Sequence, residues 1–105
     1  MNAAELGARL RSEGLAASTW GNAPRDTYAA HSHAFDKVLV ATSGSITFHL
    51  VELHKDVTLE AGERLELPAG IVHGATVGNA GVSCLEAHLP AATLTAEPRH
   101  RSRGW

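Results

Sequence analysis

The chain has 105 residues, of which 44% are hydrophobic, and a formal net charge of −2. This length suits one domain with a single core, and the near-neutral charge gives no general attraction to nucleic acid or to anionic lipid. The single cysteine, Cys84, excludes an internal disulfide. We expect a cytoplasmic protein, because no apolar run has the length of a signal peptide or a membrane span.

The N-terminal segment predicts a short helix. Asn2 can cap it, and Glu5, three positions on, can complete a capping box. Leu6 and Leu10 recur at helical spacing, and Gly14 is placed to end the helix. We expect the two leucines to pack on the outside of the structure that follows.

From residue 18 onward the sequence predicts short strands, because β-branched and alternating apolar runs are separated by glycine, proline, asparagine and aspartate. The expected strands are 18–20, 27–34, 37–43, 45–53, 57–62, 64–68, 72–77 and 82–89. Eight strands at this spacing are typical of an antiparallel sandwich or a small barrel. The tail 93–105 shows no periodicity, so we expect it to be flexible. Its three arginines leave an arm for acidic surfaces or nucleic acid as the alternative.

Histidine is prominent, with seven in the chain. His31 and His33 lie one residue apart in HSHAFDK, in a segment expected to be extended, where residues i and i+2 point to the same side. Two imidazoles on one face can both reach a metal at about 2.0–2.1 Å. A third ligand must come from elsewhere, and His73, just beyond the tight turn predicted for 68–70, is the best candidate.

Two spaced motifs in the chain resemble those of the cupin family. The family signature reads G-x5-H-x-H-x3-4-E-x6-G and, further on, G-x5-P-x-G-x2-H-x3-N. Here the second part reads GERLELPAGIVHGATV. The matching positions in the two parts are His31, His33, Gly44, Gly62, Pro68, Gly70 and His73.

The resemblance extends over roughly residues 27–90 and implies an all-β fold, a single jelly-roll barrel, often present as a homodimer. We therefore expect one domain, 1–105, with an N-terminal helix in 1–17, a barrel over 18–92 and the flexible tail 93–105. In the family, the two histidines and the glutamate of the first motif bind a divalent metal together with the histidine of the second.

Three positions depart from the family pattern. Arg25 replaces the opening glycine, Val77 replaces the closing asparagine, and Lys37 replaces the glutamate. A charged lysine cannot ligate a metal, so the resemblance implies a site of three histidines with open positions. Three roles for Lys37 remain open: pairing with a carboxylate such as Glu86, catalysis as a base or Schiff-base nucleophile, or binding an anionic ligand in the absence of metal.

The last predicted strand places Cys84, Glu86 and His88 on one face, and Ser83, Leu85 and Ala87 on the other. The face with Leu85 and Ala87 suits a core better, which would put Glu86 outside. A barrel that holds a metal nevertheless tolerates a glutamate in its interior, so Glu86 is a candidate catalytic residue beside Lys37. Cys84 is expected to be a small buried hydrophobe. Further candidates for the pocket wall, or for plain barrel core, are Tyr28, Phe35, Leu39 and Phe48.

These observations favour a small metalloprotein that binds one divalent transition metal through His31, His33 and His73. Iron, zinc, nickel, manganese and copper all remain candidates, because imidazole suits several metals. The expected activity is of dioxygenase, isomerase or lyase type on a small organic molecule, and the fold does not choose among them. The alternative is a non-catalytic barrel that binds or senses a small molecule, with or without a metal, and in which Lys37 binds an anionic ligand. No nucleic acid or membrane partner is expected, since a basic face with stacking aromatics is missing.

Overall fold

The chain folds into one helix followed by seven strands, and the computed structural model describes residues 1–105. The elements are α1 (Ala3–Ser12), β1 (Ser18–Asn22), β2 (Thr27–His31), β3 (Asp36–Leu50), β4 (Lys55–Glu60), β5 (Arg64–Leu67), β6 (His73–Leu89) and β7 (Arg99–Arg101). The sheet order is β1-β6-β3-β5-β7, with β2 paired to β6 and β4 paired to β3. Every pairing is antiparallel, which confirms the expected all-β barrel with one helix. With ten residues, helix α1 falls short of the length that a membrane-spanning helix needs.

Helix α1 begins and ends as its sequence predicts. The Asn2 side chain accepts from the backbone N–H of Glu5 at 2.9 Å, and the Glu5 carboxylate accepts from the backbone N–H of Asn2 at 3.2 Å. Gly14, just beyond the helix, has φ +80°, a left-handed conformation that glycine adopts without strain. Leu6 and Leu10 are buried on the outer face of β3 and β6, so the helix covers the outside of the sheet.

Strands β3 and β6 are longer than the sequence predicts, and the expected breaks at Gly44 and at 78–81 are wrong. Gly44 has φ +68°, and a Cβ atom there would lie 1.9 Å from the carbonyl oxygen of Gly81. Glycine therefore lets the two long strands approach closely. Register shifts at Ala41/Ser43 and Gly44/Ile46 bend β3 without ending it.

The C-terminal tail is ordered, contrary to the expectation of a flexible segment. Residues Arg99–Arg101 form β7 and pair with β5, and Trp105 is only 8% exposed. The Trp105 indole N–H donates to the carbonyl of Gly62 at 2.9 Å. The guanidinium groups of Arg9 and Arg64 lie 4.6 and 4.8 Å from the centre of its ring. All these contacts are with residues distant in sequence, so the local pattern carried no sign of them.

Both faces of the sheet are covered by apolar side chains. Along β3, Leu39 belongs to the inner cluster of buried residues and Val38 to the outer cluster under α1. Along β6, Cys84 is in the inner cluster and Leu85 in the outer one. Because side chains alternate along a strand, Glu86 follows Cys84 to the inner face, where the cavity described below is found.

Candidate metal centre

Three histidine rings converge where β2 ends and β6 begins. His31 is the last residue of β2 and lies opposite His73, the first residue of β6, in the antiparallel pairing. His33 follows just beyond the end of β2. The ring centroids are 4.7 Å apart for His31 and His33, 4.6 Å for His31 and His73, and 5.5 Å for His33 and His73. One ligand nitrogen from each ring lies within 4.8 Å of the other two, so the fold brings the predicted ligand set together.

Hydrogen bonds to the backbone orient two of the rings. His31 Nδ1 lies 2.8 Å from the carbonyl oxygen of Ala29, and His73 Nδ1 lies 2.8 Å from that of Ile71. A carbonyl oxygen only accepts, so each Nδ1 carries the proton and donates it. Each Nε2 therefore keeps a free lone pair. Histidine ligands of metals commonly make this second hydrogen bond, which fixes the tautomer and the ring orientation.

His33 supplies a third nitrogen, and its surroundings fit a metal. Its Nε2 is buried and has no hydrogen-bond partner. Leaving a buried polar group unpaired costs about 1–3 kcal/mol, a cost that metal ligation would offset. Desolvation is the largest cause lowering the pKa of His33, followed by the charge of Lys37. Burial also lowers the pKa of His73. Both imidazoles are thus held in the neutral form that binds metal.

A cavity of about 270 Å³ adjoins the three histidines on the inner face of the sheet. Its wall consists of Trp20, Tyr28, His31, His33, Lys37, Leu39, Ile46, Phe48, His73, Ala75 and Glu86. Of the predicted pocket residues, Phe35 is not in this wall. Its ring packs between His33, at 5.0 Å, and His88, at 4.2 Å.

Three wall residues were not among the candidates from sequence: Trp20, Ile46 and Ala75. Ile46 alternates in step with Phe48 along β3, so parity alone could have identified it. Ala75 follows His73 by two residues on β6, so the same rule could have identified it. Trp20 carries no such signal, because its position depends on how β1 pairs with β6.

Lys37 and Glu86 face each other in the cavity. Lys37 Nζ lies 3.5 Å from Glu86 Oε1, and the two side chains are only 12% and 14% exposed. The same Oε1 accepts from the indole N–H of Trp20 at 3.1 Å, and Oε2 lies 2.5 Å from His88 Nε2 at the rim. Burial raises the pKa of Glu86, but the hydrogen bond from His88 and the charge of Lys37 outweigh it and leave the pKa below its usual value. The cavity therefore contains an ionised carboxylate beside the ammonium group.

Asp36 is next to Lys37 in sequence, but its carboxylate binds backbone N–H groups of the turn at 68–70 and of the C-terminal segment. It is fully buried and accepts from the backbone N–H of Ala69 at 2.8 Å and of Leu94 at 2.7 Å. The bond from Leu94 is the largest cause lowering the pKa of Asp36. In the turn that Asp36 holds, the N–H of Gly70 donates to the carbonyl of His33 at 2.9 Å. Asp36 thus anchors the turn that contacts the backbone of His33.

Cys84 has no features of a nucleophile. It is fully buried in the inner cluster, and burial raises the pKa of its thiol to about 12. At neutral pH the thiol stays protonated, and the thiolate is the reactive form. Cys84 therefore serves as a small core residue.

Comparison with known proteins gives similarity at the level of structure. No family model and no curated protein matches the sequence. Among solved structures, the chain is similar to oxalate decarboxylase of Bacillus subtilis (TM-score 0.61, 16% identity, 80% of this chain and 23% of that chain). It is also similar to a cupin-2 domain protein from Shewanella frigidimarina (TM-score 0.56, 21% identity, 77% of this chain and 67% of that chain).

A third similar structure is a DMSP lyase (TM-score 0.59, 28% identity, 80% of this chain and 41% of that chain). The chain thus spans about a quarter of the decarboxylase and about two fifths of the lyase. These likenesses agree with the motif resemblance over the same barrel.

Proposed function

Starting from the cupin fold that this chain has, we propose that it holds one divalent transition metal and acts on a small organic molecule. The observation that carries the proposal is the convergence of His31, His33 and His73, whose ligand nitrogens lie within 4.8 Å of one another. The backbone bonds of His31 and His73 and the unpaired Nε2 of His33 support it. Support also comes from the similar oxalate decarboxylase, which has Mn(II) centres.

A metal held by three protein nitrogens keeps open positions for a substrate, and it supplies Lewis-acid or redox chemistry there. The chain itself would bind and orient the substrate. Leu39, Ile46 and Phe48 would form the apolar side of the substrate site. Lys37 would bind or protonate the substrate from Nζ, while Glu86 would hold that ammonium group in place.

Among the expected reaction types, the lyase type comes first. Two of the similar proteins are named a decarboxylase and a lyase, and both names denote bond cleavage without net oxidation. Zinc, iron, nickel and copper also suit imidazole ligands, so manganese is one choice among several.

Metal analysis of the untagged protein tests the proposal. We expect about one transition-metal ion per chain by inductively coupled plasma mass spectrometry, and its loss in His31→Ala and His73→Ala variants, because two nitrogens hold a metal far more weakly than three. His54→Asn is the matched control. His54 is exposed with φ +49°, a conformation that asparagine tolerates. A wild-type protein that binds none of the five candidate metals, even after incubation with each, would refute the proposal.

A further inference from the structure

We infer that the substrate of the proposed metal site is a small organic anion whose carboxylate binds the Lys37 ammonium group. This inference rests on the proposed function and names the substrate class. It follows from the charges in the cavity, the unused donors of Lys37, and the way Glu86 is held.

The charges of the cavity favour an anion. Lys37 and Glu86 are the only charged residues in its wall, and they cancel. Imidazoles that bind a metal are neutral, so a divalent ion would leave two uncompensated positive charges. In a partly apolar cavity such an imbalance is screened much less than in water. An anionic substrate would offset it, whereas a neutral one would not.

Lys37 has N–H donors that no protein group accepts. An ammonium group carries three N–H donors and no acceptor. Its only side-chain hydrogen bond is the 3.5 Å contact with Glu86 Oε1, and it is 12% exposed. Buried charged groups are normally well hydrogen-bonded, so two donors without a protein partner mark a place for a ligand.

Glu86 is held mainly by groups other than Lys37. Its contacts with the Trp20 N–H at 3.1 Å and with His88 at 2.5 Å are both shorter than the contact with Lys37. The carboxylate would therefore stay in place when an anion binds Nζ. We assign Glu86 as a positioning residue that keeps the ammonium group at the cavity wall.

The size of the cavity restricts the anion. Its volume of about 270 Å³ lies just below the roughly 300–1,000 Å³ typical of small-molecule sites. The apolar part of the wall, including Leu39, Ile46 and Phe48, suits a short hydrocarbon chain. A short-chain carboxylic acid meets both conditions.

Substitution of Lys37 should change metal binding and carboxylate binding in opposite directions, which the loss of a merely structural residue would not do. The ammonium group and the metal repel each other, so Lys37→Met should bind metal more tightly when no anion is present. The same variant should bind carboxylates more weakly. Because linkage is reciprocal, a bound carboxylate should also raise the metal affinity of the wild-type protein.

The test uses zinc-loaded protein and isothermal titration calorimetry with acetate, propionate and malonate, each compared with its neutral amide. We expect the acids to bind in preference to the amides, and roughly ten- to hundredfold weaker binding to Lys37→Met, the range for a hydrogen bond to a charged group. Lys37→Arg should retain most of the affinity. Lys55→Met, which removes an exposed lysine of β4, is the control and should bind as the wild type does. Zinc affinity comes from competition with a chelating dye.

The outcomes separate the two proposals. If zinc binds but acids and amides bind equally, or Lys37→Met binds acids as well as the wild type, the substrate inference is refuted and the metal site stands. If no metal binds, the proposed function fails. The same titrations on metal-free protein then decide whether Lys37 alone binds carboxylates. If the metal-free wild type and Lys37→Met bind the acids equally, Lys37 is not a carboxylate site. A drop in both zinc and carboxylate affinity in Lys37→Met, with circular dichroism unchanged, would assign Lys37 a structural role only.

Discussion

Substitutions of Asp36 test directly how the fold positions His33. Its carboxylate is fully buried and accepts two backbone N–H groups, from Ala69 and Leu94, at 2.8 and 2.7 Å. Hydrogen bonds to a charged group contribute about 1.5–3 kcal/mol each. Asp36→Ala removes both and should lower the free energy of unfolding by about 3–6 kcal/mol, a large part of the roughly 5–15 kcal/mol of a typical domain. Asp36→Asn keeps one acceptor oxygen and should lose about half as much.

Urea denaturation, monitored by circular dichroism, measures this decrease in the free energy of unfolding, and Asp56→Asn is the control. Asp56 is 67% exposed, and its Oδ1 lies 2.9 Å from Nδ1 of the exposed His49; because such an exposed pair contributes at most about 1 kcal/mol, its substitution should cost no more than that. The same Asp36 variants should bind zinc more weakly, because the turn that Asp36 anchors holds the backbone of His33 through Gly70. Unchanged stability in Asp36→Asn would refute the role of the buried carboxylate. Lower stability with unchanged zinc affinity would refute its link to His33.

The sign of the pH dependence follows from the lowered pKa of Asp36. A carboxyl group with a pKa lowered by folding stabilises the protein above its unfolded pKa, about 3.9, and that stabilisation is lost as the pH falls through the folded pKa. The wild-type protein should therefore lose stability below about pH 4. The Asp36→Asn variant should lose less stability than the wild type below about pH 4. Parallel pH profiles of the two proteins would contradict this account.

Two further predictions concern the core and the crossing of the long strands. Cys84 should not react with Ellman's reagent in native protein at pH 8, because the thiol is buried and burial raises its pKa to about 12. In urea the thiol should react fully. Rapid reaction of the native protein would show that the inner cluster opens. Gly44→Ala should prevent folding, since its Cβ would lie 1.9 Å from the carbonyl oxygen of Gly81. The control Gly14→Ala has a similar positive φ but open space and should cost only about 1–2 kcal/mol; equal losses in thermal stability for the two variants would refute the packing argument.

The sequence predicted those features that depend on neighbours along the chain. The capping box of Asn2 and Glu5 and the spacing of His31 and His33 are of this kind. His73 lies forty residues further on, and only the turn before it and the resemblance to a two-part motif assigned it to the same site. Glycine misled the prediction at Gly44, because the same residue type allows a turn or a close crossing of strands, and only the partner strand decides which. Trp105 could not have been placed either, since its partners lie elsewhere in the chain.

The orientation of Glu86 illustrates why parity alone was insufficient. The rule that one face of a strand is apolar and the other polar assumes that only one face is covered. Leu85 and Ala87 of β6 are buried in the outer cluster together with Leu6 and Leu10 of helix α1, while Cys84 and Glu86 point inward. Both faces of β6 look partly apolar in sequence, and the choice between them depends on the helix.

Lys37 and Glu86 together alter the charge of the pocket in a way that neither residue reveals alone. With lysine at the position of the family's glutamate ligand, the chain lacks a charged metal ligand there but still has a carboxylate in the cavity, on β6, held by Trp20 and His88. That carboxylate compensates the ammonium group and not the metal. The proposed metal would then keep its full charge and its open positions, and the compensating charge would have to come from the substrate. In a Lys37→Glu variant, the metal affinity should rise and the preference for carboxylates over amides should disappear. Stronger carboxylate binding by this variant would contradict the reasoning.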